Sequence, residues 1–246
     1  MEIARFDVGN PRSAEMAVSA DGTRVAVVST LNHSITIYEF SPAGLEKRHE
    51  FYRAYPLTTC WSTSGHLLVS FMAPCTIEEF TASGVHVRTL LQSPGRIQAM
   101  AVYGDLLYAH CVDQGIVELR ISTGVKLRTL NGTYSLGTTE FRLSPNGRNI
   151  VFSVPIAGSL CLYDLQSEAA TGEIGDLGYA GINGLDIALN GVMFTAGIDT
   201  AAAFGPTGNL LAFWECAGGT NVGLAGNTLL VLESNGLIAY DVSAFL

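Results

Sequence analysis

The residues of this 246-residue chain with chemistry to offer are five histidines, five cysteines and a scatter of side-chain oxygens. Cys60, Cys75, Cys111, Cys161 and Cys216 are an odd number with no C-x-x-C pair, which argues against both a disulfide framework and a zinc site. They read as small buried hydrophobes. His33, His49, His66, His86 and His110 show no H-x-x-x-H spacing. His66 and His110 fall in apolar runs, where a histidine hydrogen-bonded within a sheet is the expectation rather than a metal ligand. The chain has no G-x-S-x-G elbow, phosphate-binding glycine loop or G-x-G-x-x-G turn, so no motif supports nucleophilic catalysis or nucleotide binding. There remain Glu15, Gln98, Glu140, Asn183, Asp186 and Asn221, whose oxygens would suit a hard cation such as Ca²⁺ or a polar ligand. They are far apart in the chain. Only elements that carry all of them to one axis could make them a site.

A repeat points to such elements. "TASGVHVRTL" begins at Thr81 and "ISTGVKLRTL" at Ile121, with the glycine, the following valine and the closing Arg-Thr-Leu in register. Self-similarity at about forty residues is the signature of a repeat architecture, and here each unit divides into four short runs. "EMAVS", "RVAVVS", "SITIYEF" and "LEKRHEF" form the first; "IQAMAV", "LLYAHC", "GIVELR" and "VKLRTL" form the third. The runs are short, β-branched and aromatic, and bounded by glycine, which fits strands; no stretch has sustained helical periodicity. Asp21-Gly22, Asn146-Gly147 and Asn190-Gly191 separate first from second runs, where a tight hairpin calls for positive φ. Second runs such as "NIVFSV" and "TLLVLE" are almost wholly apolar, as strands buried on both faces should be.

Six such units predict an all-β fold, a six-bladed β-propeller of four-stranded antiparallel blades. The sixth unit lacks its fourth run, and "EIARFDV" near the N-terminus has the length to supply it and close the last blade. The expected blades are approximately 9–51, 52–90, 91–130, 131–175, 176–215, and 216–246 plus 1–8, in a single domain. Two β-sandwiches would need a linker near the middle, and none is visible. In a propeller the first strand of each blade lines a central channel. Glu15, Gln98, Glu140, Asn183, Asp186 and Asn221 lie on those runs and become channel candidates for a metal or small ligand.

"AVSADGTRVAVVSTLNHSITIYEF" resembles the repeat of YVTN-type, lactonase-like propellers. "STGVKLRTLNG" followed by "FRLSPNGRNIVFSVPIAGSLCLYDL" resembles a WD repeat. The Gly-His pair of WD repeats is absent, and Tyr163-Asp164 and Tyr240-Asp241 stand where Trp-Asp would be. The resemblance implies the propeller fold and a bias toward scaffolding, and it carries over no catalytic residue. Some propeller hydrolases of the lactonase-like kind use a channel Ca²⁺, which keeps a channel-mouth hydrolase or ligand binder as the alternative function.

Charge narrows the partners. Residues 1–148 hold thirteen Lys and Arg and thirteen Asp and Glu, whereas 149–246 hold nine acids and no Lys or Arg. A phosphate backbone is bound through cations, so the second half is not a nucleic-acid surface. No apolar run is long enough to span a membrane, and "MEIARFDVGN" has no secretory pattern, so a cytoplasmic protein is expected. In a propeller, loops joining fourth to first strands share one face with loops joining second to third. That face would carry Tyr52, Arg53, Tyr55, Arg96, Tyr134 and Tyr179 from the first set. His33, Met72, Asp113, Ile156 and Asp199 come from the second. Tyr, Arg and Met anchor protein interfaces, so the expected function is a non-catalytic scaffold that binds a protein through this face, with no catalytic residue and no cofactor. Self-association through the cation-free half is a further alternative.

Overall fold

The computed structural model describes residues 2–8, 14–41, 43–133, 140–154, 158–176, 181–216, 218–233 and 236–246. The chain forms two compact units, one of Pro11–Tyr134 and one of Met1–Asn10 with Ser135–Leu246. Each unit contains three four-stranded antiparallel sheets.

In the first unit, β2 (Ala14–Val18), β3 (Arg24–Ser29), β4 (Ser34–Ser41) and β5 (Gly44–Tyr52) make one sheet. The next has β6 (Pro56–Trp61), β7 (Leu67–Met72), β8 (Cys75–Phe80) and β9 (His86–Gln92). The third has β10 (Ile97–Tyr103), β11 (Leu106–Cys111), β12 (Gly115–Arg120) and β13 (Val125–Thr129). The second unit opens with β14 (Phe141–Leu143), β15 (Asn149–Val154), β16 (Ser159–Asp164) and β17 (Ala169–Asp176). It continues with β18 (Gly184–Ile187), β19 (Met193–Ala196), β20 (Thr200–Phe204) and β21 (Leu210–Glu215). Its last sheet runs β22 (Asn221–Ala225), β23 (Thr228–Glu233), β24 (Gly236–Asp241), with β1 (Glu2–Phe6) added outside β24. Six meanders in chain order, the last completed by the N-terminal strand, are the topology of a six-bladed β-propeller, as the repeat predicts.

Strand alternation explains why the second strands are apolar throughout. Leu67, Val69 and Phe71 of β7 pack toward the first sheet with Val28, Ile35 and Ile37, while Leu68 packs toward the third with Ile97, Met100 and Leu107. A strand with neighbours on both faces has no polar side to spend. In the second unit Met193 of β19 joins Val151, Leu160 and Phe204, and Phe194 joins Val222, Leu229 and Val231. Polar ties cross the same seams. Trp61 Nε1 donates to Ala17 O at 3.1 Å, and the Arg88 guanidinium donates to the carbonyls of Ile121 and Ser122.

The turns differ from the tight hairpins expected. At Asp21-Gly22 the Gly22 N–H bonds Ser19 O at 2.8 Å, Gly22 alone has positive φ (71°), and the loop closes through Ser19 N–H to Arg24 O. Asn146-Gly147 repeats this pattern, and Asn190-Gly191 has the same Gly N–H bond, to Ala188 O, in a loop one residue shorter that closes through Ala188 N–H to Val192 O. The acidic or amide side chain serves instead as an acceptor. Asp21 Oδ1 takes the Thr23 N–H, Asn146 Oδ1 that of Arg148 and Asn190 Oδ1 that of Val192, each at 3.0 Å. The Tyr-Asp pairs also act locally: Asp164 accepts the Gln166 and Ser167 N–H groups at 2.8 Å, and Asp241 accepts that of Ser243 at 2.9 Å. Among the described residues no helix is long and apolar enough to cross a membrane.

Candidate interaction face

The link from β5 to β6 is three residues, Arg53, Ala54 and Tyr55, and it lies against the loop between β3 and β4. Arg53 N–H donates to His33 O at 2.9 Å, and Tyr55 N–H donates to His33 Nδ1 at 3.1 Å. The His33 and Tyr55 rings meet edge to face with centroids 4.5 Å apart. On the other side Met72 N–H donates to Tyr55 O at 3.0 Å, which joins the end of β7 to the same group. His33 and Tyr55 both have left-handed backbones, with φ of 54° and 55°. Only one other described non-glycine residue, Glu168, has positive φ. Such a conformation costs roughly 1–2 kcal/mol for a residue with a Cβ and persists only where surrounding contacts hold it.

The held loops leave large side chains in solvent. Tyr52 is 68% exposed and Tyr55 45%, Met72 and Arg53 are also exposed, and the Arg53 guanidinium carbon lies 5.9 Å from the Phe80 ring centroid. His33, Tyr52, Arg53, Tyr55 and Met72 are thus one surface at the joint of the first two blades. The joint of the second and third repeats the plan: Val112 N–H donates to Arg96 O at 2.9 Å, the bond that Met72 makes to Tyr55. Asp113 beside it is so close to Gly95 that an added Cβ would stand 2.1 Å from its Oδ2, so a larger residue at 95 would turn the Asp113 carboxylate aside. Arg96 and Asp113 are both exposed. Asp199, exposed between β19 and β20, belongs to the other unit. Tyr134, Ile156 and Tyr179 lie outside the described residues.

Of the channel candidates, Glu15 and Gln98 are half-buried on the first strands of their blades in one unit. Glu140, Asn183, Asp186 and Asn221 belong to the other, and three of them meet around a residue absent from the sequence-based set. Arg142 of β14 donates Nη1 to Glu140 Oε1, and its Nε lies 3.6 Å from Asp186 Oδ1. Asn221 Nδ2 donates to Glu140 Oε2 at 3.3 Å. Asp186 also accepts the N–H groups of Ile187 and Leu224, at 2.9 and 2.8 Å. Burial pushes its pKa up, and the Arg142 charge opposes that rise. Asn183 turns away, donating Nδ2 to Gly219 O at 3.4 Å. A cation placed here would compete with a guanidinium for both carboxylates. The signal for Arg142 was its position two residues after Glu140, a spacing that puts side chains on one side of an extended chain.

The remaining chemical groups are tied into the blades. His66 sits just before β7 rather than within it, and its Nδ1 lies 2.7 Å from Glu79 Oε1, whose other oxygen accepts from Arg88 Nε at 2.7 Å. His110 lies buried within β11. All five cysteines are reduced thiols, and burial pushes the thiols of Cys111, Cys161 and Cys216 up, away from the reactive thiolate. Among the described residues no three His, Cys, Asp or Glu are grouped as metal ligands. No model of a known protein family matches the chain, and no curated protein matches it in sequence.

Proposed function

We propose that the chain is an interaction platform without chemistry of its own, which binds a protein partner through the loops around Tyr52, Arg53 and Tyr55. The supporting observation is the pair of left-handed residues, His33 and Tyr55. Backbone strain serves no purpose in merely covering a blade seam. Here the strained pair is bonded through the backbone to Arg53 and Met72 and lies beside exposed Tyr52, so little loop entropy is lost when a partner docks. These residue types supply large contact area and a cation for a partner's carboxylate or aromatic ring. The likeness of the repeats to WD and YVTN propellers favours the same reading. The hydrolase alternative gains less support, because Arg142 occupies the carboxylates that a channel cation would need.

The test is quantitative mass spectrometry of proteins that co-purify with the tagged chain from its native lysate, compared with the Arg53→Ala, Tyr55→Ala double variant. A stoichiometric protein lost with the double variant, at an unchanged melting temperature, supports the platform. If every co-purifying protein survives this pair and also Tyr52→Ala with Met72→Ala, the face is wrongly assigned. A calcium-dependent rise in melting temperature would move the site to the inner strands.

A further inference from the structure

The outermost strand of a blade ends its sheet and presents a row of backbone groups, and native proteins blunt such edges with charge or with breaks in the strand. Four of the six outer strands carry Lys or Arg. β5 has Lys47 and Arg48, β9 has Arg88, β13 has Lys126 and Arg128, and β1 has Arg5. β17 carries Glu173 and is interrupted by Gly172 and Gly175. β21 departs from this pattern: it reads LLAFWE and has no ionisable group before its last residue, Glu215. Leu210 is 51% exposed, Leu211 42% and Phe213 66%, while Ala212 and Trp214 turn inward onto the core.

The register shows which backbone groups lie on the open side. Cys216 N–H donates to Asp199 O at 3.1 Å, and Trp214 stands opposite Ala201 two residues on. Antiparallel pairing alternates, so Cys216, Trp214 and Ala212 direct their N–H and C=O toward β20, and Phe213 and Glu215 direct theirs outward. The Glu215 carbonyl receives the Tyr240 hydroxyl at 3.5 Å. The outward groups of Phe213 lie on the edge beside its exposed ring.

We propose that this edge of β21 is a second docking site, which takes an extended segment of a partner protein as an added antiparallel or parallel strand. The segment alternates apolar side chains, for Leu211 and Phe213, with Lys or Arg at its ends. The basic character follows from charge. From residue 149 to 246 the chain has nine Asp and Glu and no Lys or Arg, and Glu215 and Asp199 are exposed at the end of the strand. A second copy of the chain would set this acidic segment against itself, whereas a cationic strand is drawn to it. Main-chain bonds give such a complex its affinity, and alternate side chains with their charged flanks give its specificity.

A phage library of random nine-residue peptides, selected on the immobilised full chain, tests this with Phe213→Lys and Leu211→Lys as counter-targets. Both positions are solvent-exposed, and melts matching the parent establish that the variants fold. The expected clones alternate apolar residues, are rich in Lys or Arg, and bind each variant at least tenfold more weakly than the parent. A synthesised clone peptide should slow hydrogen exchange at the Phe213 amide, leave the already bonded Trp214 amide unchanged, and lose affinity as salt rises. It should bind the Arg53→Ala, Tyr55→Ala variant as well as the parent, so this site and the loop face fail or stand separately. Clones that do not distinguish the parent from Phe213→Lys, clones without a basic bias, or no clones overturn the proposal. A parent that sediments at twice 26.1 kDa and becomes monomeric in Phe213→Lys would give the edge to a second copy instead.

Discussion

Tyr55 gives its backbone N–H to the ring of His33, and the two residues share the left-handed conformation that side chains ordinarily avoid. Glycine adopts this conformation without cost, so Tyr55→Gly relieves strain while losing the ring contact. Its stability should stay within about 1 kcal/mol of the parent. Tyr55→Val keeps a Cβ and branches there, and should lower stability by a further 1–2 kcal/mol or about that. Urea titrations of both check this. Equal stability of the two variants would show that the local backbone had relaxed and that nothing holds Tyr55 in place.

Thr195 is wholly buried in β19, and its hydroxyl has no hydrogen-bond partner among the described residues. Valine has the same shape without the group that loses its water on folding. Thr195→Val should stabilise the chain by about 1 kcal/mol, seen as a melting temperature about 2–4 °C higher. A fall would mean that the hydroxyl is bonded in solution.

Gly184 is required by a close approach of two strands. An added Cβ would meet Asn221 Cα at 2.5 Å and Val222 N at 2.7 Å, both backbone atoms that cannot rotate aside. Gly184→Ala should separate β18 from β22 and cost about 1–3 kcal/mol. Denaturant unfolding measures the loss, and a neutral result would contradict the spacing of these strands.

The Ser19 hydroxyl, and next the Thr23 N–H, hold Asp21 down to about 2 from its ordinary 3.8. A lowered folded value means a contribution that is complete above pH 3.8 and vanishes as pH falls through about 2. The side chain is largely in water, so screening leaves no more than about 1 kcal/mol. The stability gap between the parent and Asp21→Ala should therefore be constant from pH 7 to 5 and narrow between pH 4 and 2. A gap independent of pH would assign the effect of Asp21 to turn geometry alone.

The blades were legible because their signals are local and recur: a turn glycine, a short apolar run, another turn. Strand β1 could be placed from a distance because one unit lacked a strand and one strand lacked a unit. The sites were less legible. Nothing local marks Tyr55 as left-handed, and histidine adopts that conformation only somewhat more readily than most residues; contacts made across two loops impose it on both. Arg142 escaped because β14 is three residues long, too short for its alternation with Glu140 to stand out. The exposure of β21 was hidden by its composition. LLAFWE reads like an interior strand, and only its place at the end of a sheet puts Phe213 in water.

The pairing of β1 with β24 also sets an order of events during synthesis. Arg5 and its ion-pair partner Glu233 are 228 residues apart, and at ordinary translation rates that separation is about 10–45 s. For that time β1 has no partner while the strands between it and β24 are made. Glu2 and Arg5 give it a charge of each sign, which discourages it from pairing early with the exposed edge of another blade. The β22–β24 sheet is thus completed by a segment made long before its other three strands. A ribosome stalled anywhere between β1 and β24 would hold a nascent protein in which β1 is still unpaired and open to proteases and chaperones.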